Sequence, residues 1–211
     1  MTVNRLPALL TLIALLLPVT RPAVAESDAY FAADPNSFTL SVKNEVLSDM
    51  AVFHRAFLSV GTNKFAFVVP KDFRIESVTG RRITLANKSN DCFILVRFLG
   101  PQATAHHKPS PQTCRHLLLS DHPGSSIERE FTRLVAGLES WGFEMNWNGR
   151  GRAEYKVCAL VVPSVSGLWV YELISRPKEY QREFYNFNFL LLTAAASRDG
   201  KLEFAPLSDK L

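Results

Sequence analysis

The sequence lacks the short motifs that most directly identify an enzyme. It contains no G-x-S-x-G nucleophile elbow, no H-E-x-x-H zinc motif and no C-x-x-C pair, which mark serine hydrolases, zinc proteases and thiol redox proteins. Net charge is also small, at +4 over 211 residues, and the charged residues are dispersed. A nucleic-acid-binding surface needs a stronger and more clustered positive charge. The sequence therefore favours a non-catalytic protein without excluding an enzyme, and it predicts no nucleic-acid partner.

Cysteine is scarce, with three residues at Cys92, Cys114 and Cys158. Three cysteines form at most one internal disulfide, and the sequence does not select a pair. The alternative is that each is buried as a small apolar side chain. A nucleophilic thiol needs a base within reach, and Cys114 precedes Arg115 and His116, whereas Cys158 lies in an apolar segment. We expect Cys158 to belong to the core.

No apolar run is long enough to cross a bilayer as a helix, which takes about 20 residues. The N-terminal run Leu6–Leu17 has 12 residues, follows Arg5, and precedes the small residues Ala23–Ala25. This is the pattern of a cleavable signal peptide. We expect residues 1–25 to be removed and the mature protein to act outside the cytoplasm, periplasmic or secreted, without a stable membrane span.

The mature chain is predicted to form one α+β domain. Residues 26–36 are polar and are expected to be a flexible lead-in, while residues 37–211 carry the alternating apolar pattern of strands. The clearest predicted strands are Lys64–Val69, the hairpin of Phe73–Val78 and Arg82–Asn87, the apolar Cys92–Leu99, Glu154–Val162 and Leu168–Ser175. The expected architecture is an antiparallel sheet covered by one or two helices.

One segment has strong helical periodicity. Apolar residues recur at helical spacing across Ser126–Trp141, and Gly142 follows where a left-handed C-cap is needed. Ser125 and Glu128 match the S-x-x-E capping box that starts many helices. We predict a helix here that lays its apolar side on the sheet.

Three other segments are assigned less directly. Residues 44–60 fit both a helix and a strand, and we favour the helix. Residues 100–124 contain many turn residues and are predicted to form a long loop, with a short strand at His116–Leu119 as an option. Arg182–Ala196 alternates like a strand and is predicted to enter a final hairpin, with a helix over Leu190–Ala196 as the alternative.

Two segments resemble the PsbP/Mog1-type α/β/α sandwich family. Residues 64–73 (KFAFVVPKDF) are similar to its opening strand, proline and aromatic residue, and residues 191–202 (LLTAAASRDGKL) to its closing hairpin with a D-G-K-L turn. The resemblance implies a PsbP/Mog1-like sandwich and a non-enzymatic accessory domain. Nothing in the sequence supports a photosystem role.

The loop contains the most concentrated chemical feature, His106, His107, His116 and His122, which are four of the five histidines. Imidazole is a good ligand for a transition metal such as zinc. An alternative function is therefore metal binding by these four residues, although their spacing matches no compact metal motif. A solvated polar loop and a pH sensor are the competing interpretations.

Aromatic residues near the C-terminus suggest a surface for recognition. Trp169, Tyr171, Tyr185 and Phe187 could line a pocket or a partner-binding face, where aromatic side chains are enriched, and burial in the core is the alternative. Taken together, the sequence predicts an exported, non-catalytic accessory domain that binds a protein partner or a small ligand.

Overall fold

The structure is a computed structural model that describes residues 38–46, 52–61, 63–100, 109–149, 153–164, 167–198 and 201–202. Most of these residues lie in strands, in which successive side chains point to opposite faces of a sheet. In chain order the elements are β1 (Phe38–Val46), β2 (Val52–Val60), β3 (Asn63–Val69), β4 (Phe73–Thr79), β5 (Arg82–Asn87), β6 (Cys92–Leu99), α1 (Pro111–Asp121), β7 (Ser126–Val135), β8 (Leu138–Asn148), β9 (Glu154–Ser164), β10 (Gly167–Ser175), α2 (Tyr180–Leu192), β11 (Ala195–Arg198) and β12 (Lys201–Leu202).

The strands form two antiparallel sheets. One has the order β1–β2–β3–β11–β12 and the other β4–β5–β6–β10–β9–β8–β7. Most neighbours are consecutive in the chain, so short turns connect them, as antiparallel pairing allows. With the two helices that the described residues form, the chain has the α+β class predicted from the sequence, although two sheets replace the single one expected.

The main apolar core lies between the two sheets. All nine residues of β10 are buried, and alternation sends Trp169 and Tyr171 into this core. The ring of Phe65 on β3 lies 5.1 Å from that of Trp169 and 5.4 Å from that of Tyr171, which joins the two sheets directly. Burying one such side chain contributes about 1.5–3 kcal/mol. The alternate residues Leu168 and Val170 face a second core on the outer side of the larger sheet.

Helix α1 covers that outer side. Ser110 caps it by accepting a hydrogen bond from the Thr113 amide at 3.2 Å, and Pro111 occupies the first turn, where its missing N–H costs nothing. The helix buries Cys114 and Leu118 against the sheet. The spacing of four residues puts both side chains on one face.

Helix α2 is packed against the main core. Its buried residues are Tyr180, Glu183, Phe187, Leu190 and Leu191, a helical spacing that places them on one side. Thr193 ends the helix: its Oγ1 donates to the Leu190 carbonyl and accepts from the Val68 amide on β3, both at 3.0 Å. The last turn of α2 is thus fixed to the smaller sheet.

The predicted helix at Ser126–Trp141 is wrong, because this segment forms the β7–β8 hairpin. Ala136 and Gly137 make its two-residue turn with φ of 52° and 73°, as expected for a hairpin turn that follows the strand twist. Gly142 is not a helix cap; it lies in β8 directly opposite Phe131. Helices α1 and α2 cover the sheets instead.

The other uncertain segments also differ from expectation. The part of residues 44–60 that the structure describes is extended, in β1 and β2, so the strand alternative holds. The predicted loop 100–124 contains α1, which replaces the optional strand at His116–Leu119. Most of the predicted strand Arg182–Ala196 belongs to α2, but the final hairpin forms between β11 and β12.

The described residues all belong to one compact unit, Ala33–Leu211. The expected signal peptide and lead-in, residues 1–36, lie outside the described residues and stay predictions. Among the helices that the structure describes, none has the length and apolar character needed to cross a membrane.

Candidate functional site

A charged cluster lies on the outer face of the larger sheet, beneath the end of α1. Glu172 of β10 shares this face with Val170, and Arg97 of β6 is the cross-strand partner of Val170. Glu172 Oε1 lies 3.1 Å from His122 Nε2 and 3.4 Å from Arg97 Nη2. Asp121, the last residue of α1, also accepts a hydrogen bond from Arg97 Nη2. Four charged or ionisable side chains therefore meet where the helix reaches the sheet.

Burial makes this cluster energetically demanding. The side chains of His122 and Glu172 are only 6% and 3% exposed, and a buried carboxylate is costly unless it is paired. Desolvation by itself would lower the pKa of Arg97, but the carboxylates of Glu172 and Asp121 outweigh it and raise that pKa. Arg97 thus stays charged and compensates the two acids.

The pair of Glu172 and His122 resembles the arrangement that orients a reactive imidazole, in which a carboxylate holds one ring nitrogen and frees the other. The free nitrogen here, His122 Nδ1, is buried and has no hydrogen-bond partner among the described residues. The ring instead packs edge-on against Trp147 at 4.9 Å. The cluster as it stands fastens α1 to the sheet.

Aromatic contacts extend this cluster across β8 and β9. Trp147 lies 5.5 Å from Tyr155, its cross-strand neighbour, and the guanidinium of Arg176 lies 4.7 Å above the ring of Tyr155. Such cation–π contacts contribute about 0.5–1 kcal/mol at an exposed site. The contacts among Trp147, Tyr155 and Arg176 stabilise the end of the sheet beside α1.

The four predicted metal ligands are only partly described. His116 is exposed on α1, whereas His122 is buried at the end of the helix against Glu172. His106 and His107 lie outside the described residues. Within the described ranges, no three or more His, Cys, Asp and Glu side chains are placed to hold a metal ion. The metal hypothesis therefore stays a prediction.

The cysteines form no disulfide and are all buried. Burial raises the pKa of the Cys114 thiol to about 11 and, together with the nearby Glu183, that of Cys92 to about 12. Burial and the charge of Glu144 raise the pKa of Cys158 to about 12 as well. A thiol that stays protonated is a poor nucleophile. The core position expected for Cys158 is confirmed, and Cys114 faces the sheet while His116 faces solvent.

Three of the four aromatic residues predicted to line a surface are core residues instead. Trp169 is 2% exposed, and Tyr171 and Phe187 are fully buried. They are in the core because β10 is central and Phe187 lies on the inner side of α2. Tyr185 is the exception, with 67% of its surface exposed.

Tyr185 belongs to an apolar stripe on the outer side of α2. Phe189 and Leu192 follow it at i+4 and i+7, which places the three on one face. Leu192 is 70% exposed, and the half-buried ring of Phe189 stacks on Phe53 of β2 at 6.4 Å. We call these four residues, Phe53, Tyr185, Phe189 and Leu192, the α2 face.

Sequence reasoning missed the charged cluster, although the sequence contains one signal for it. Glu172 interrupts the otherwise apolar segment 168–174, and an acid within a strand buried on both faces needs a buried partner. The identity of that partner is not readable from the sequence, because Arg97 and His122 are far from Glu172 along the chain and only the sheet order brings them together.

No family model matches the chain, and no curated protein matches it significantly. Among solved structures the chain is similar to LpqN, described as involved in cell envelope biogenesis of Mycobacterium tuberculosis, at 15% identity, covering 75% of this chain and 92% of that one with a TM-score of 0.45.

Two further solved structures carry the names of the family that the sequence resembles. Cyanobacterial PsbP (CyanoP) from Synechocystis has 10% identity over 79% of this chain and 96% of that one, with a TM-score of 0.44. The Ran-binding protein Mog1p from Saccharomyces cerevisiae has 11% identity over 71% of this chain and 85% of that one, with a TM-score of 0.43.

Proposed function

We propose that this chain is an exported, non-catalytic accessory domain that binds a protein partner through the α2 face. The observation that carries the proposal is the exposure of two large side chains on α2. Tyr185 is 67% exposed and Leu192 is 70% exposed. They flank the stack of Phe189 on Phe53, so the apolar surface spans a helix and a strand.

The arrangement suits a docking surface because its geometry is already fixed. The opposite side of α2 is anchored in the core by Phe187 and Leu190, and its end is tied to β3 through Thr193. A rigid surface loses little conformational freedom on binding. Burying Tyr185 and Leu192 under a partner would contribute about 1.5–3 kcal/mol each.

The charge of α2 indicates the chemistry of the partner. The helix carries one cation, Arg182, and one acid, Glu183. Arg182 forms an ion pair with Glu183 at 2.7 Å and a second one with Glu179, just before the helix, at 2.9 Å. An anionic lipid surface is recognised by uncompensated basic residues beside the apolar ones, and α2 offers none. The occupant we propose is therefore an uncharged, apolar patch of another protein.

Export places this interaction outside the cytoplasm. The proposal rests here on the leader pattern of residues 1–25, in which an apolar run of 12 residues ends before Ala23–Ala25. The partner is accordingly expected among periplasmic, secreted or surface proteins. Small ligands and metal are not needed for this function.

Site-specific photo-cross-linking in cells that export the protein tests the proposal. The photo-reactive residue p-benzoylphenylalanine replaces Tyr185, and in a matched control it replaces Lys88, whose side chain is 80% exposed on another part of the surface. We expect one discrete adduct with a different protein at position 185 and none at position 88. The protein found by mass spectrometry is then purified and titrated with the unmodified chain.

The titration decides whether the adduct reflects binding. Leu192→Asp places a charge in the α2 face without touching the core, and it should weaken the affinity at least tenfold, equivalent to about 1.4 kcal/mol. The proposal fails if both positions give the same adducts, if position 185 gives none or only lipid, or if Leu192→Asp binds as tightly as the parent.

A further inference from the structure

The edge strands of the two sheets differ in how they are protected from pairing with another chain. An open edge exposes unpaired N–H and C=O groups, and proteins commonly protect it with a bulge or by keeping the strand short. Both edge strands of the larger sheet, β4 and β7, contain a register shift, at Ile75/Ser77 and at Ile127/Arg129. In the smaller sheet the edge strand β12 has only two residues.

Strand β1 has neither form of protection. It is nine residues long, and its pairing with β2 runs without a shift from Phe38–Val60 to Val46–Val52. Among the described strands, none pairs with its outer edge. A long, regular and open edge is a template for the addition of another strand.

The side chains of β1 indicate which strand would be added. Residues 42–46 read Val-Lys-Asn-Glu-Val, a sequence that is symmetric in chemical character about Asn44. Val42 and Val46 are 45% and 67% exposed on the same face of the strand. Lys43 and Glu45 lie on the other face, as alternation requires.

We propose that β1 is a self-complementary edge through which two copies of this chain pair antiparallel about a two-fold axis at Asn44. In this register Val42 lies opposite Val46 of the second copy, and Lys43 lies opposite Glu45. Each contact occurs twice, because a two-fold interface repeats every pair. Cross-strand apolar and opposite-charge pairs contribute about 0.2–1 kcal/mol each. The smaller sheets of the two copies become one continuous sheet.

Charge selects a second copy over an arbitrary extended peptide. A lysine on an edge disfavours any strand that brings another cation opposite it, and the register about Asn44 supplies Glu45 at that place. The same register covers both exposed valines. The α2 face adjoins this edge through Phe53 of β2, the cross-strand partner of Glu45, but it consists of other side chains. The substitutions that test the pairing leave those side chains in place, so either proposal can fail without the other.

A charge-swap experiment tests the pairing. The mature chain is examined by sedimentation velocity across a concentration series, as the parent and as the variants Lys43→Glu and Glu45→Lys. We expect the parent to dimerise and each variant to dissociate at least ten times more readily, because two like-charge pairs replace two opposite-charge pairs. Since Glu45 also binds Arg55 at 2.7 Å, thermal unfolding of each variant checks that the fold is kept.

Mixing the two variants separates the interface from a folding defect. Lys43→Glu carries acids at both positions and Glu45→Lys carries cations, so the mixture should form a heterodimer with an affinity close to that of the parent. A monomeric parent, or a dimer that neither variant weakens, would overturn the proposal. So would failure of two folded variants to associate when mixed.

Cross-linking tests the register. All three native cysteines are buried, so an engineered thiol on β1 is the accessible one. Asn44→Cys should be joined to its copy by a short bis-maleimide, because position 44 lies on the axis. The matched control Val42→Cys should not react in this way, because the two copies of position 42 are offset by about 13 Å along the strands. A cross-link at position 42 and none at 44 would refute the register proposed.

Discussion

Replacing Gly142 by alanine is a direct test of the β7–β8 hairpin. Gly142 faces Phe131 across the hairpin, and a Cβ at this position would lie 2.3 Å from both Cε2 and Cζ of that ring. The φ of Gly142 is not among the positive values of the chain, so space rather than backbone conformation requires the glycine. The alanine variant must therefore displace the phenylalanine ring.

Two opposing effects set the size of the change. Forcing an extra methyl group into a packed site costs about 1–3 kcal/mol, while replacing glycine lowers the entropy of the unfolded chain and returns about 0.4–1 kcal/mol. We expect Gly142→Ala to lower the free energy of unfolding by about 1–2 kcal/mol. In a domain of this size each kcal/mol changes Tm by about 2–4 °C. Urea unfolding should show a lower midpoint with an unchanged slope.

The same substitution in a Phe131→Ala background identifies the contact. Without the ring the added methyl group has room, so Gly142→Ala should be neutral or slightly stabilising there. The two sites would then be coupled by about 1–2 kcal/mol, a range typical of residues in contact. Equal destabilisation in both backgrounds would refute the reasoning, because loss of a helix-capping glycine would cost the same with or without Phe131.

Four further outcomes are expected from the described geometry, the leader and the histidines. Glu172→Ala leaves Arg97 and His122 without their buried carboxylate and should lower the free energy of unfolding by about 3–5 kcal/mol; a loss below 1 kcal/mol in urea unfolding would contradict the cluster. Burial raises the thiol pKa to about 11 for Cys114 and to about 12 for Cys92 and Cys158. As the pH rises, the thiols of the unfolded chain therefore lose their protons before those of the folded chain. Stability should be complete below pH 8 and decline between about pH 9 and 12, by up to 1.4 kcal/mol per unit and thiol. A variant with all three cysteines replaced by alanine should decline less steeply, and the remaining slope comes from the phenols of Tyr171 and Tyr180, whose pKa values burial also raises. The exported protein should begin at Glu26, as its intact mass would show, and zinc supplementation followed by elemental analysis tests the histidine hypothesis, which a metal-free protein would refute.

Strands with one dominant pattern were predictable from the sequence. Segment 92–99 is almost wholly apolar and forms the interior strand β6. One face of this strand is buried and the other is half-buried, so neither face needs a fully polar pattern. The hairpin of β4 and β5 was predicted around Thr79-Gly80, and Gly80 has the positive φ of 58° that such a turn favours. In these places one pattern, and the turn residues beside it, leave a single interpretation.

The error at residues 126–141 has a physical origin in the two periodicities. Residues four apart lie on one face of a helix and also on one face of a strand, because four is close to a helical turn and is twice the strand period. Phe131 and Val135 satisfy both and contact the main core, whereas Ile127 contacts the outer core, because the register shift at Ile127/Arg129 reverses its face. Leu134 distinguishes the helix from the strand. The helix would bury Leu134, whereas the hairpin leaves it 69% exposed. The alternation of Trp141, Phe143 and Met145 was the stronger signal, together with the Ala136-Gly137 turn.

The same ambiguity explains why the functional surfaces were less predictable than the fold. Whether an aromatic residue is exposed depends on which face of its element meets the core, and that follows only when the element type is known. As a strand, residues 182–196 would put Tyr185 and Phe187 on one face; as a helix, they lie on different sides, and Phe187 is buried while Tyr185 is 67% exposed. The surface of β1 depends on its position in the sheet instead. Once β1 is known to be an edge strand, alternation alone places its exposed valines on one face and Lys43 and Glu45 on the other. A surface can therefore be inferred from sequence where period and sheet position are both fixed. For β1 neither was, because residues 44–60 were assigned to a helix and the place of β1 at an edge depends on the sheet order.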